Sequence, residues 1–186
     1  MKQSDVWIGT YTGRRFHPFA PRVEDVALED IAHSLAHQCR YNGHCRVFYS
    51  VAEHSIHLAG QMPDPLALLG LMHDAGEAYV SDIVRPIKPY LAIHSGPERN
   101  SFKRIEKDIL RVIAYRFDLP WPVPAAIEAA DLRMLATERL RLFDDRMPAW
   151  EDIAGVEPYP IGLPCWEPED VAWRFHKRFA ELGGIL

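Results

Sequence analysis

From residue 28 onward, apolar residues recur at helical spacing along most of this chain. Ile31, Leu35 and Ala36 share one face and predict a helix over Leu28–Cys39. Ser50 followed by Glu53 has the spacing of a capping box and predicts a second helix over Val51–Gln61. Pro63 and Pro65 end it and open a third, Leu66–Tyr79. That segment is apolar almost all round (Leu66, Leu68, Leu69, Leu71, Met72), which places it at the centre of the fold. Glu98–Phe117 carries the best amphipathic pattern, with Phe102, Ile105, Ile109, Val112, Ile113 and Phe117 on the 3.6 period and Asp118-Leu119-Pro120 as the stop. Pro124–Phe143 and Pro168–Leu182 complete the helices.

Between these runs the pattern breaks. Residues 1–27 contain Gly9, Gly13, Pro18 and Pro21 and read as an irregular arm with a short strand at Val6–Tyr11. Arg40–Arg46 is a loop marked by Asn42-Gly43. Ser81–Ser95 holds Pro86 and Pro89, and 144–167 is a long loop rich in Pro and Trp. The expected class is all-α, one domain over residues 1–186, with an irregular N-terminal arm.

Composition narrows the function. Hydrophobic residues make up 48% of the 186 and charged residues 25%, as in an ordinary globular domain with one sizeable core. A net charge of −5 argues against a partner made of nucleic acid. The N-terminus has no apolar core of a signal peptide, and no apolar run reaches a membrane span, so a cytoplasmic protein with no membrane partner is expected. Cys39, Cys45 and Cys165 are odd in number and contain no C-x-x-C pair, which fits reduced thiols.

Candidate chemistry lies on the apolar helices. His73-Asp74 sits inside the most apolar predicted helix, and a buried Asp is costly unless a counter-charge or metal accompanies it. His54 lies mid-helix among Ala, Val, Ile and Leu, with His57 three residues on. Asp131 follows Ala129-Ala130 in another apolar context. Three helices thus each offer an imidazole or carboxylate to the interior. Such N and O ligands suit Mn²⁺, Co²⁺, Zn²⁺, Fe²⁺ or Mg²⁺. Glu77, at i+4 from His73, is placed to reach a water on such a metal. In the arm, Arg14, Arg15 and Phe16 could bind a triphosphate tail or a base from a neighbouring subunit, or could equally form a surface patch. The tryptophans 121, 150, 166 and 173 read as packing, and the Trp-rich C-terminal region as a candidate subunit interface.

The run H-S-I-H…L-M-H-D-A-G-E-A-Y-V-S-D-I-V-R-P-I-K, followed by E-A-A-D-L-R-M-L, resembles the HD-domain phosphohydrolases, whose signature is the order H…HD…D. The pattern H-D-A-x-E-x-x-x-x-D-x-x-x-P-x-K over residues 73–88 is similar to the nucleotide branch of that family. This branch includes bacterial 5′-deoxynucleotidases and the dATP triphosphohydrolases of phages that replace adenine with 2-aminoadenine. The T-Y-T-G-R opening and R-Y-N-G-H loop resemble a subset of bacterial and phage members. The resemblance covers about residues 28–143 and implies an HD-domain helical bundle.

It also implies a divalent metal (Co²⁺, Mn²⁺, Zn²⁺ or Mg²⁺) held by His54, His73, Asp74 and Asp131, so that His54 rather than His57 is the first ligand. Glu77 would handle the attacking water, and Asp82 would be a second acid near the scissile phosphate. Arg40, Tyr41, His44 and Lys88 would meet the substrate. The family commonly has Trp followed by Pro where this chain has Tyr41 followed by Asn42-Gly43-His44. The implied reaction is hydrolysis of a small-molecule deoxynucleotide, foremost dATP to deoxyadenosine and triphosphate. The alternatives are a 5′-deoxynucleotidase acting on monophosphates and a non-catalytic HD-fold nucleotide-binding protein. A homo-oligomer, hexamer or dimer, is implied as well.

Overall fold

Five predicted helices start within three residues of where the chain coils. The computed structural model describes residues 5–95 and 98–185. Helix α1 spans Leu28–His37, α2 Val51–Gln61, α3 Asp64–Met72, α4 Glu77–Val80, α5 Phe102–Arg116, α6 Ala125–Leu142 and α7 Pro168–Glu181. Two short antiparallel hairpins accompany them. Strand β1 (Ile8–Gly9) pairs with β2 (Arg15–Phe16), and β3 (Ala92–Ser95) with β4 (Glu98–Ser101). The class is all-α. Among the described residues no helix is long and apolar enough to cross a membrane.

The centre of the fold is α2, which packs against α1, α3, α6 and α7. Val51, Ala52, Leu58 and Ala59 are fully buried there. The predicted central segment, α3, meets α2, α6 and α7. Its close approach to α2 depends on Gly70. A Cβ at that position would lie 2.8 Å from Leu58 Cδ2 and 3.1 Å from Met62 Cγ. The main core joins these helices to Ile105, Ile109 and Ile113 of α5 and to Val171, Phe175 and Phe179 of α7.

Three departures from the sequence expectation have local causes. First, the expected helix 66–79 stops at Met72. His73 Nδ1 lies 2.7 Å from the Gly70 carbonyl, the acceptor a continuing helix would offer to the N–H of Asp74. The chain then turns through i→i+3 bonds, Ala75 N–H to Met72 O and Glu77 N–H to Asp74 O, before α4. Second, α5 begins at Phe102 because Ser101 Oγ caps it by accepting the Arg104 N–H, and Glu98–Ser101 is strand. Third, the capping box at Ser50 is half made. Ser50 Oγ accepts the Glu53 N–H, but the Glu53 carboxylate turns inward and accepts the N–H groups of Cys165 and Trp166, each at 2.8 Å. Glu53 thereby anchors the segment that leads into α7.

Candidate metal centre

Four acceptor atoms from two helices and one turn converge beside a cavity. His54 Nε2 (α2) lies 3.3 Å from His73 Nε2, 3.7 Å from Asp74 Oδ2 and 3.3 Å from Asp131 Oδ1 (α6). His73 Nε2 is 3.2 Å from Asp74 Oδ2. The turn that replaces helix after Met72 is what lets two adjacent residues face one point. Among the described residues, His54, His73 and Asp74 form a group able to hold a metal ion, with ligand atoms all within 4.8 Å of one another.

The far side of each ring fixes its tautomer. His54 Nδ1 is 2.5 Å from Glu138 Oε1, and His73 Nδ1 faces the Gly70 carbonyl. Both oxygens are acceptors only, so each Nδ1 carries a proton, and in the neutral rings each Nε2 presents a lone pair inward. With both rings neutral, two lone pairs and two carboxylate oxygens face one another, and the Arg40 guanidinium comes only to within 3.6 Å of Asp74 Oδ2. A cation relieves that arrangement, and the donor set fits a divalent one.

The titratable groups respond to this crowding. Burial and Arg40 both work against a proton on His54, yet Glu138 and Asp131 outweigh them and push its pKa up to about 10. Burial would raise Asp74, but His73, His54 and Arg40 hold it well below the carboxylate range. Burial opposes ionisation of Asp131 too, and the bond to His54 lowers it to about 2. Its other oxygen, Oδ2, is 2.6 Å from Arg85 Nη2.

The cavity measures about 460 Å³, within the range of small-molecule sites. Asp74 and Asp131 form one end, with Glu77, Asp82, Arg40, Arg85 and Lys88 around it. Tyr41, Leu135, Ile83, Val84, Pro86 and Trp150 make the apolar wall, and Glu151 and Asp152 lie on the rim. Lys88 Nζ bridges Glu77 Oε1 at 2.7 Å and Glu106 Oε1 at 2.9 Å. Glu77 Oε2 is buried and has no partner. Burial, with Asp74 and Asp82 beside it, raises the Glu77 pKa well above its ordinary value, although Lys88 pulls the other way. Asp82 is held by its N–H, which donates to Gln38 Oε1.

Tyr41 occupies the wall at the expense of backbone comfort. Tyr41 and Asn42 both have left-handed φ, 58° and 51°, and Gly43 follows at 75°. Consecutive non-glycine residues in that region are strained and persist where other contacts hold them. Here the Tyr41 hydroxyl bonds Glu138 Oε2, and the ring packs edge-on to Phe143 and beside Trp150.

Three of the sequence-based candidates do not join this group. Phe16 is fully buried and stacks on Tyr79 at 3.6 Å, so it is a core residue rather than a substrate contact. Arg14 is exposed and donates to the Glu24 carbonyl, with no place on the cavity wall. His44 is exposed outside the cavity, and its N–H closes the turn onto the Tyr41 carbonyl. Conversely, Trp150, read as packing, lines the cavity, and Glu138, Arg85 and Glu106 are site residues that the sequence reading does not pick out. Glu138 had a signal: it lies seven residues after Asp131, two turns along the same face of α6. Glu106 sits on an ordinary charged stripe, and nothing in the sequence distinguishes it.

The fold and site thus define an all-α protein with a histidine–aspartate group able to hold a metal at the end of a mixed-charge cavity. The chain is 37% identical over 182 residues to the uncharacterized protein YfdR of Escherichia coli strain K12, covering 96% of this chain and 97% of YfdR. It is 35% identical over 138 residues to the uncharacterized protein RCAP_rcc00048 of Rhodobacter capsulatus, covering 67% of each. The chain belongs to the YfdR family. No family model matches it.

Proposed function

We propose that this protein is an HD-domain, metal-dependent phosphohydrolase of deoxynucleotides, with hydrolysis of dATP to deoxyadenosine and triphosphate as its leading reaction. One observation carries the reading. The meeting of His54, His73, Asp74 and Asp131 opens on a cavity lined by Arg40 and Lys88, where Glu77 has a buried, unpartnered oxygen. The choice of dATP comes from the sequence resemblance.

A divalent cation at the four-residue site supplies Lewis acidity and a nucleophilic water at neutral pH. The residues of the chain do the rest. Glu77 Oε2 accepts the proton of the attacking water, and Lys88 orients Glu77 through its other oxygen. The water oxygen bonds to the α-phosphorus, the bond from that phosphorus to the 5′ oxygen breaks, and the proton is delivered to that oxygen. Asp82, on the same wall, would relay it. Arg40 and Lys88 balance the charge that builds on the phosphoryl oxygens. Tyr41, Leu135 and Trp150 offer the apolar surface for sugar and base.

The cavity wall has six carboxylates (Asp74, Glu77, Asp82, Asp131, Glu151, Asp152) against three cations. An anionic nucleotide therefore depends on the dication to balance that field. The test is incubation with dATP and with dAMP in Co²⁺ or Mn²⁺, read by chromatography, with Asp74→Ala as control. Triphosphate from dATP is the expected product. Deoxyadenosine from dAMP alone would make the protein a 5′-deoxynucleotidase. Equal inactivity of wild type and Asp74→Ala on all deoxynucleotides would make it a non-catalytic binding protein.

A further inference from the structure

Glu138 is fully buried, yet it accepts from three different side chains. Its Oε1 lies 2.5 Å from His54 Nδ1. Its Oε2 accepts from Arg40 Nε at 3.2 Å and from the Tyr41 hydroxyl. One carboxylate thus touches a candidate metal ligand with one oxygen and two residues of the cavity wall with the other. Both oxygens are satisfied by donors, and every donor leads to a different part of the site.

We infer that Glu138 is a positioning residue that couples the metal centre to the substrate wall; this rests on the phosphohydrolase reading above. Through Oε1 it fixes the His54 ring and keeps the Nε2 lone pair turned inward. Through Oε2 it holds the left-handed Tyr41 turn and aligns the Arg40 guanidinium, whose Nη1 also lies 3.6 Å from Asp74 Oδ2. A ring fixed by a bound cation fixes Glu138, and Glu138 in turn holds Tyr41 and Arg40 in place for the nucleotide. Coupling of this kind is reciprocal: nucleotide binding strengthens metal binding by the same factor. Asp74 also lies near both His54 Nε2 (3.7 Å) and Arg40 Nη1 (3.6 Å), but it does so from the ligand side of the imidazole, whereas Glu138 holds the far side together with Tyr41.

Glu138→Gln keeps the volume but carries one acceptor where three donors converge, so either the ring or the wall loses its partner. The experiment titrates metal-free protein with Co²⁺ and follows its visible absorption, with and without dAMP. Loss of such an outer carboxylate is expected to weaken Co²⁺ binding by about 10–100-fold. In wild type, dAMP is expected to tighten Co²⁺ binding, and in Glu138→Gln that tightening is expected to be lost. Tyr41→Phe provides a milder variant that leaves the core uncut: it removes one donor to Oε2, and the dAMP effect is expected to shrink. Glu53→Gln is the control, an equally buried acid beside His54 that faces the segment before α7.

Unchanged Co²⁺ affinity in Glu138→Gln would overturn the inference while leaving the metal site standing. So would an equal loss in Glu53→Gln, since the effect would then be general damage to the core. Wild type that binds Co²⁺ but hydrolyses no nucleotide would remove the proposed reaction and leave Glu138 to be decided by affinity. Wild type that binds no Co²⁺ would remove both.

Discussion

His54 Nε2 and His73 Nε2 face each other at 3.3 Å while the opposite nitrogen of each ring points at an oxygen that can only accept. Without a cation, the folded protein holds this crowding together only by adding a proton. A metal that binds the folded state alone stabilises it by about 2.7 kcal/mol at one hundred times its Kd. For a chain of this size, a kilocalorie corresponds to about 2–4 °C in Tm. Co²⁺, Mn²⁺, Zn²⁺ or Mg²⁺ is therefore expected to raise Tm by about 5–10 °C, with reversal by a chelator and no response in His73→Ala. A wild type whose Tm ignores all four metals would count against the site.

Glu77 and Lys88 form the second informative pair. Burial and the neighbouring Asp74 and Asp82 raise Glu77, and Lys88 at 2.7 Å lowers it. A base must be deprotonated to work, so kcat/KM is expected to fall as pH drops through a pKa above the ordinary glutamate value. Lys88→Met removes the lowering influence. Its acid limb is expected at higher pH than in wild type, besides any loss of rate. A bound dication acts on Glu77 in the same direction in both proteins, so the sign of the difference survives. A limb that stays in place or moves down would exclude Glu77 as the base. Glu77→Gln is expected to lose about 10²–10⁴ in kcat.

The arm gives a clean separation of packing from function. Phe16 has no exposed surface, and truncating a buried aromatic to Ala costs about 3–5 kcal/mol. Arg14 is exposed, and its removal is expected to stay within about 0.5 kcal/mol. Denaturant unfolding measures both. Neither variant is expected to change KM for folded protein. A many-fold rise in KM for Arg14→Ala at unchanged Tm would instead mean that the arm reaches a site, and in this fold that site would belong to another subunit.

What the sequence revealed, and what it hid, follows from the range over which each feature is decided. The helix faces were readable because burial repeats every 3.6 residues, and His54 and Asp131 were visible as polar residues on such faces. The break after Met72 was invisible because a side chain causes it: His73 takes the Gly70 carbonyl, and no propensity scale contains that bond. Phe16 looked like an arm residue beside two arginines. Its burial depends on Tyr79, more than sixty residues away. Glu53 matched the capping box, yet the N–H groups of Cys165 and Trp166 compete for its carboxylate more successfully than the nearby backbone. Glu138 lay on the Asp131 face all along. Its importance emerged only when Arg40, Tyr41 and His54 were brought around it.

Gly70 ties the packing of the bundle to the geometry of the metal group. Its missing side chain lets α3 approach α2, and its carbonyl holds His73 Nδ1 at 2.7 Å. An added Cβ would meet Leu58 Cδ2 at 2.8 Å, and Leu58 is fully buried. Gly70→Ala must therefore either shift the buried Leu58 side chain or push α3 away from α2. Overpacking of this kind costs about 1–3 kcal/mol, partly offset by the better helix propensity of Ala. A displacement of α3 carries His73 away from His54, which comes from α2. The variant is expected to fold with a lowered Tm and to bind Co²⁺ more weakly than a control of equal stability loss placed elsewhere, such as Val171→Ala in α7. If Gly70→Ala and the control lose Tm alike but Co²⁺ affinity is untouched in both, the helix pair is not what sets the spacing of the two histidines.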